Sequence, residues 1–247
     1  MTTAYECKVW IRNALARCGL RRRRRPDQVA QFLQRYAIGL VLDVGANAGQ
    51  YARRIRSMGY RGRIVSFEPL PDAFVKLQAN ARGFPEWQVA NLALGAADGV
   101  GTLHVAGNSQ SSSLLPMAAL HLAAAPESAY VGAVTVPVRR LDGILHEYCQ
   151  PADRVFLKMD VQGGERDVLA GAGAALDRFV GVQLEMAFEP MYEGETLFPA
   201  MCDYMCGAGY SLMSLAGVWR DRRTGQILQV EGVFCQTREV AARRAAA

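Results

Sequence analysis

Hydrophobic and polar positions along the chain alternate between two periods, and the switches between them outline an α/β fold. Short, nearly continuous apolar runs appear at Gly39–Val44, Arg63–Phe67, Trp87–Leu94, Arg154–Asp160 and Phe179–Glu185. Runs of this length, bounded by polar or glycine-containing punctuation, predict buried strands. Between them lie segments of helical period: Asp27–Tyr36, a helix opening after Gly49, Asp72–Arg82, one running from about Glu165 to Ala172, and Thr196–Ala208. Strands alternating with helices predict βαβ units and a parallel sheet.

The remaining segments are less regular. Gly95–Gly107 predicts a turn and a short strand carrying His104, and Asn108–Ser113 a polar, hydroxyl-rich loop. Leu114–Ala133 is Ala-rich and is expected to hold a lid helix. Val134–Val138, with Pro137 inside it, is expected at a sheet edge. Tyr210–Leu215 and Glu231–Gln236 close the strand set, with an excursion at Val218–Gln229 between them. Near the start, Ala4–Gly19 reads as a helix with Trp10, Ile11, Ala14, Leu15 and Cys18 on one face. The chain is expected to divide into a basic helical segment at 1–37, a main domain at 38–237 and a frayed tail at 238–247.

Composition narrows this picture. With 247 residues, 51% hydrophobic and 21% charged, the chain can bury a sizeable core as one α/β domain with additions. The net charge is +5, and Arg21–Arg25 form an unbroken run, so a uniformly basic nucleic-acid face is not the default. The Ala4–Gly19 helix and these arginines would either rest on an anionic membrane surface or pack on the domain beside a solvated linker; the second reading is preferred. No secretory signal or spanning apolar stretch is read. Six cysteines without a C-x-x-C pair point to a reducing, cytoplasmic compartment, and Cys202 and Cys206 read as two ordinary buried thiols.

The chemistry begins at Val41–Tyr51. An apolar strand ends in an acid, and a turn with Gly45 and Gly49 leads into a helix. Such a turn aims backbone N–H groups and a helix N-terminus at a ligand above the sheet. It is not a dinucleotide loop, because Asn47 stands where G-x-G-x-x-G needs its middle glycine. Asp43 at the strand end would also repel a pyrophosphate. A ligand with a cationic part and no phosphate fits better, and S-adenosylmethionine is one. Glu68, at the tip of the next strand, is placed to face ribose hydroxyls. On the fourth core strand, alternation puts Phe156, Lys158 and Asp160 on one side, and a lysine and a carboxylate at a C-terminal strand tip suggest a functional pair.

In order, the blocks Leu42–Tyr51, Phe67–Pro69, Ala93–Gly95, Ser111–Leu114, Val138–Asp142, Leu157–Glu165, Val168–Gly171 and Glu185 resemble the FkbM family of S-adenosylmethionine-dependent methyltransferases. The combination of the first block with Lys-x-Asp-x-x-Gly-x-Glu carries most of the specificity. The resemblance covers about 39–209 and implies a Rossmann-like class I methyltransferase sheet of seven strands flanked by helices, and methyl transfer to oxygen. It implies that Asp43, Gly45, Asn47, Gly49 and Gln50, with Tyr51 of the same block, surround the methionine half of the cofactor. Glu68, followed by Pro69, would hold the ribose, and Asp160 would sit beside the transferred methyl. The family's known acceptors are hydroxyls of polyketides and of sugars, including those of glycolipids.

An alcohol is a weak nucleophile at neutral pH, so a group must orient it and take its proton. Asp160 is the first choice, with Lys158 tuning it and Glu165 or Glu185 in support. Of His104, His121 and His146, His121 in the expected lid leads. Some sugar O-methyltransferases use a divalent cation beside the cofactor, but the carboxylates here show no dedicated metal spacing and none is assigned. The expected partner is a glycolipid or related glycoside, with peripheral contact to an anionic inner membrane surface and no nucleic acid. Rival readings are a polyketide hydroxyl acceptor, an RNA 2′-O-methyltransferase, a nicotinamide oxidoreductase lacking its Tyr-x-x-x-Lys, and a non-catalytic glycolipid-binding protein on the same fold.

Overall fold

The computed structural model describes residues 27–246. The Ala4–Gly19 segment and the arginine run lie outside these residues. The first helix, α1 (Gln28–Arg35), starts where Asp27 Oδ1 accepts from the backbone N–H groups of Val29 (3.0 Å) and Ala30 (3.1 Å). That is the arrangement an N-cap aspartate provides. Strand β1 (Leu40–Val44), helix α2 (Gln50–Ser57), strand β2 (Arg63–Phe67), helix α3 (Pro71–Ala81) and strand β3 (Trp87–Ala90) then build the first βαβ units. Strand β7 (Val155–Met159), helix α6 (Glu165–Ala172) and strand β8 (Phe179–Ala187) continue the parallel sheet. Helix α7 (Phe198–Gly207) leads to an antiparallel pair, β9 (Tyr210–Arg220) and β10 (Ile227–Gln236).

The large sheet has seven strands in the order β3-β2-β1-β7-β8-β10-β9. All five residues of β1 are buried, because β2 and β7 flank it and helices cover both faces. Alternation sends Leu40, Leu42 and Val44 into one apolar layer with α6 and with α5 (Leu141–Tyr148). Val41 goes to the other, with Ile64, Phe156, α1 and α2. Asp43 shares the parity of Val41 and is carried into that second layer. Strand order reverses between β1 and β7, and the crevice at their carboxyl ends is where open α/β sheets place ligands.

Several elements differ from expectation. Trp87–Leu94 is two strands, β3 in the large sheet and β4 (Ala93–Leu94) in a small one. The bend sits at Asn91, whose Nδ2 donates to the carbonyls of Glu68 (2.8 Å) and Pro69 (3.2 Å). Strand β5 (Gly99–Ala106) and β6 (Tyr130–Arg139) complete the small sheet, in the order β4-β6-β5. The expected edge strand is therefore its central, ten-residue member, with Pro137 opposite Val100. The expected lid helix shrinks to α4 (Ala119–Ala124), followed by a short 3₁₀ turn at Pro126–Ser128. Proline at 116 and 126 bounds the helix. The 218–229 excursion is a hairpin: β9 runs on to Arg220, and Asp221, which accepts from the Arg223 N–H (2.7 Å), turns the chain with Gly225 at φ 76°.

Thr237–Ala245, where a frayed tail was expected, is helix α8; its Glu239 pairs with Arg154 (2.7 Å) and its Arg243 lies over the Tyr36 ring. Cys202 and Cys206 on α7 are free, and Cys206 is exposed rather than buried. Among the described residues no helix is long and apolar enough to cross a membrane.

Candidate active site

At the crevice lies a cavity of ≈ 640 Å³, a size suited to a small-molecule site. Its floor starts at the β1–α2 turn. Gly45 (φ 73°), Asn47 (φ 46°) and Gly49 (φ 83°) all take left-handed conformations. A Cβ on Gly45 would stand 1.9 Å from the carbonyl oxygen of Asp160, so only glycine lets the tips of β1 and β7 meet. Asn47 is one of the few other residues that tolerate this region. Its Oδ1 accepts from Ala48 N–H (2.9 Å) and from Gln50 Nε2 (3.0 Å). Gly49 does not line the cavity; a Cβ there would press 2.7 Å from the Trp87 ring, so its role is packing.

Glu68 leaves β2 directly beside this turn. Its Oε2 accepts from the Asn47 N–H (2.6 Å) and its Oε1 from the Leu70 N–H (2.8 Å). Burial pushes its carboxyl up to about 7, against the opposing pull of those two N–H groups and of Lys158. A carboxylate oxygen accepts more than one hydrogen bond, so each oxygen keeps a place for a ribose hydroxyl. Gln50, Tyr51 and Pro69 line the same wall.

Lys158 of β7 is the register partner of Asp43. Its Nζ lies 3.2 Å from Asp43 Oδ1 and 3.7 Å from Asp160 Oδ2, and 5.3 Å from the Tyr51 ring centroid. Burial pulls the ammonium pKa down, but Asp43 and Asp160 outweigh it and hold it above its ordinary value. Asp43 is fully buried, takes a further hydrogen bond from Ser66 Oγ (3.1 Å), and does not line the cavity. Strand alternation places this acid, expected around the methionine half of the cofactor, beneath the cavity floor as the counter-ion of Lys158.

Asp160 reaches into the cavity with its side chain 44% exposed. The turn after β7 brings Gln162 round at φ 57°, and its Nε2 donates to Asp160 Oδ1 (2.7 Å) and Glu185 Oε2 (3.1 Å). Gln162 Oε1 accepts from Tyr192 OH (2.6 Å), which locks the amide's orientation. Gln229 Nε2 also donates to Glu185 Oε2 (3.2 Å). Burial, reinforced by Asp160, Glu165 and Glu231, raises the Glu185 carboxyl well above its ordinary range. Glu165 is absent from the lining. It folds back to accept from the N–H groups of Val161 (2.9 Å) and Gly163 (3.1 Å), so it caps the turn.

His121 lines the cavity while almost wholly buried, edge-on to Tyr192 (5.1 Å) and Trp219 (5.4 Å), and its Nδ1 has no partner in the protein. Burial lowers its pKa. His104 stacks on Tyr130 and His146 sits on α5; neither lines the cavity. Gln162, Trp219, Gln229 and Glu231 were not singled out in the sequence. Gln162 lay inside a matched block, but its left-handed backbone has no sequence mark; Trp219 and Gln229 lie in the stretch read as an excursion, and Glu231 opens the last expected strand. Among the described residues no cluster of three or more His, Cys, Asp or Glu could hold a metal ion.

A profile of the methyltransferase FkbM domain matches residues 43–212. The chain is 26% identical over 175 residues to the 2-O-methyltransferase NoeI of Sinorhizobium fredii, covering 67% of this chain and 70% of that protein. Similar solved structures include an rRNA methylase from Streptococcus thermophilus (13% identity, 87% of this chain and 99% of that one, TM-score 0.47). Another is Aeropyrum pernix fibrillarin with bound S-adenosyl-L-methionine (13%, 83% and 73%, TM-score 0.44).

Proposed function

We propose, since the chain belongs to the FkbM methyltransferase family and is an S-adenosylmethionine-dependent methyltransferase, that it methylates a hydroxyl on a sugar of a glycolipid or related glycoside. The observation that carries the reading is the gathering of Glu68, the Gly45–Asn47 turn and Asp160 around one cavity. When bound, the cofactor supplies a methyl group on a sulfonium, open to displacement by an alcohol oxygen. Glu68 accepts the ribose hydroxyls, while Asn47 and Gln50 shape the adjoining wall.

Asp160 orients the acceptor hydroxyl and takes its proton. Gln162 holds one of its oxygens and Lys158 lies near the other, so the carboxylate is preset for that contact. Asp43 holds the Lys158 ammonium in place at the cavity floor. The 2-O-methyltransferase relative supports transfer to oxygen, and the carboxylate, amide and aromatic lining supports a polyhydroxylated acceptor. Mass spectrometry of a glycolipid extract incubated with the protein and methyl-labelled S-adenosylmethionine tests this. The expected result is a labelled, methylated sugar; label in RNA and in no glycoside overturns the acceptor.

A further inference from the structure

The cavity divides along the sheet. Glu68 and the Gly45–Asn47 turn stand over β2 and β1, whereas Glu185, Glu231, Gln229 and Trp219 stand over β8, β10 and β9. Asp160, at the end of β7, lies between the halves. The adenosine-binding features all belong to the first half. The second half is left for the acceptor, and its chemistry is one-sided.

Glu185 and Glu231 face each other across the β8–β10 pair. Amide groups hold them: Gln162 and Gln229 on Glu185, and Gln183 Nε2 on Glu231 (3.1 Å). The cavity-lining cations among the described residues are Lys158, committed to Asp43 and Asp160, and Arg54, which pairs with Asp27 (3.5 Å). The lining carries carboxylates at Glu127, Asp160, Asp167 and Glu231 against those two cations, besides Glu68 and Glu185, whose carboxyls burial shifts toward the neutral form. The cofactor's sulfonium offsets one negative charge only. At this end His121 lines the wall as a buried ring set against Tyr192 and Trp219.

We propose that the cavity half over β8, β10 and β9 is an acceptor subsite that rejects anionic acceptors, and that Glu231, with Asp160 at the boundary of the two halves, imposes the rejection. It rests on the reading of the chain as an O-methyltransferase of glycosides. Specificity of this kind comes from penalising the wrong ligand: a carboxylate or phosphate brought here meets like charge in a half-buried site. The methylated ring is therefore neutral or cationic.

The test uses the full chain and three acceptors sharing one ring and one aglycone: a neutral hexoside, its uronic acid and its amino sugar. The expected kcat/KM for the uronoside is at least about tenfold below the neutral hexoside, with the amino sugar not disfavoured. Glu231→Gln is expected to raise the uronoside relative to the neutral acceptor, and Glu185→Gln, which removes no full charge, to leave the ratio close to the wild type. A uronoside methylated as fast as the neutral hexoside by the wild type overturns the inference, as does a ratio unmoved by Glu231→Gln. The wild-type ratio decides even if a variant fails to fold. Methylation of RNA, a polyanion, in place of any glycoside would overturn the acceptor reading as well, which separates the two failures.

Discussion

Glu68 stands in the cavity wall with a carboxyl that burial raises to about 7. Ribose hydroxyls donate hydrogen bonds, so they bind the ionised form, whose population falls as pH drops through that value. Affinity for S-adenosylmethionine is thus expected to hold above pH 7 and to weaken below it, by up to about tenfold per pH unit. Glu68→Gln should weaken binding and flatten the profile, and calorimetry between pH 6 and 8 would show both; a flat wild-type profile removes Glu68 from the ribose. Asp160 and Asp43 separate by a different pair of measurements, because one lines the cavity and the other lies under it. Asp160→Asn is expected to keep the fold and cofactor binding while kcat falls about a hundredfold or more; wild-type turnover would leave Asp160 a structural cap. Asp43→Asn leaves Lys158 buried with a weaker set of partners, and breaking a buried pair costs about 3–5 kcal/mol. Chemical denaturation should register that loss whether or not cofactor is present.

At the scale of elements, the contact between the β1 turn and the end of β7 is the joint on which the site depends. Gly45→Ala meets both a left-handed backbone and the Asp160 carbonyl. The overpacking alone costs about 1–3 kcal/mol, so a marked fall in Tm with loss of cofactor binding is expected. Gly143, by contrast, is an exposed position inside α5 with nothing near its missing Cβ. Gly143→Ala should stabilise by about 0.5–1 kcal/mol, which thermal melting can resolve. Fully buried strands such as β1, β2 and β7 were legible in the sequence because parallel pairing between helical layers demands continuous apolar runs. The small sheet and the hairpin were not: β5, β6 and β9 mix exposed and buried positions in no clean period. That is why Trp219 went unnoticed while Glu68, Lys158 and Asp160 did not; Gln229 and Glu231 sit on β10, ahead of or at the start of the strand read there, and only its pairing with β8 brings them to the site. Asp43 was visible as an acid at a strand end, but telling cavity wall from floor needed the register with Lys158. Asn47 and Gln162 owe their positions to positive φ angles, which composition does not announce.

For the molecule as a whole, charge is distributed unevenly along the chain. Residues 27–246 hold 20 Lys and Arg against 22 Asp and Glu, so the excess behind the net charge of +5 lies in the first 26 residues, with Arg21–Arg25 at its centre. The described part, with its carboxylate-lined cavity, has no overall pull toward a polyanion. If the acceptor is carried on an anionic membrane, the attraction must come from the arginine run, and we propose that this run provides it. Basic residues near such a surface contribute about 1 kcal/mol each and act only within a Debye length. Replacing Arg21–Arg25 with glutamine in the full chain should therefore sharply reduce binding to vesicles containing phosphatidylglycerol. Binding of the wild type to the same vesicles should fall with added salt, and neither protein should bind neutral phosphatidylcholine vesicles. Turnover on a soluble, lipid-free glycoside should be equal in the two, since that acceptor offers no anionic surface for the arginines to attract. Equal vesicle binding by wild type and variant would place the attraction elsewhere, and the folded domain's own charge of −2 leaves it no obvious home.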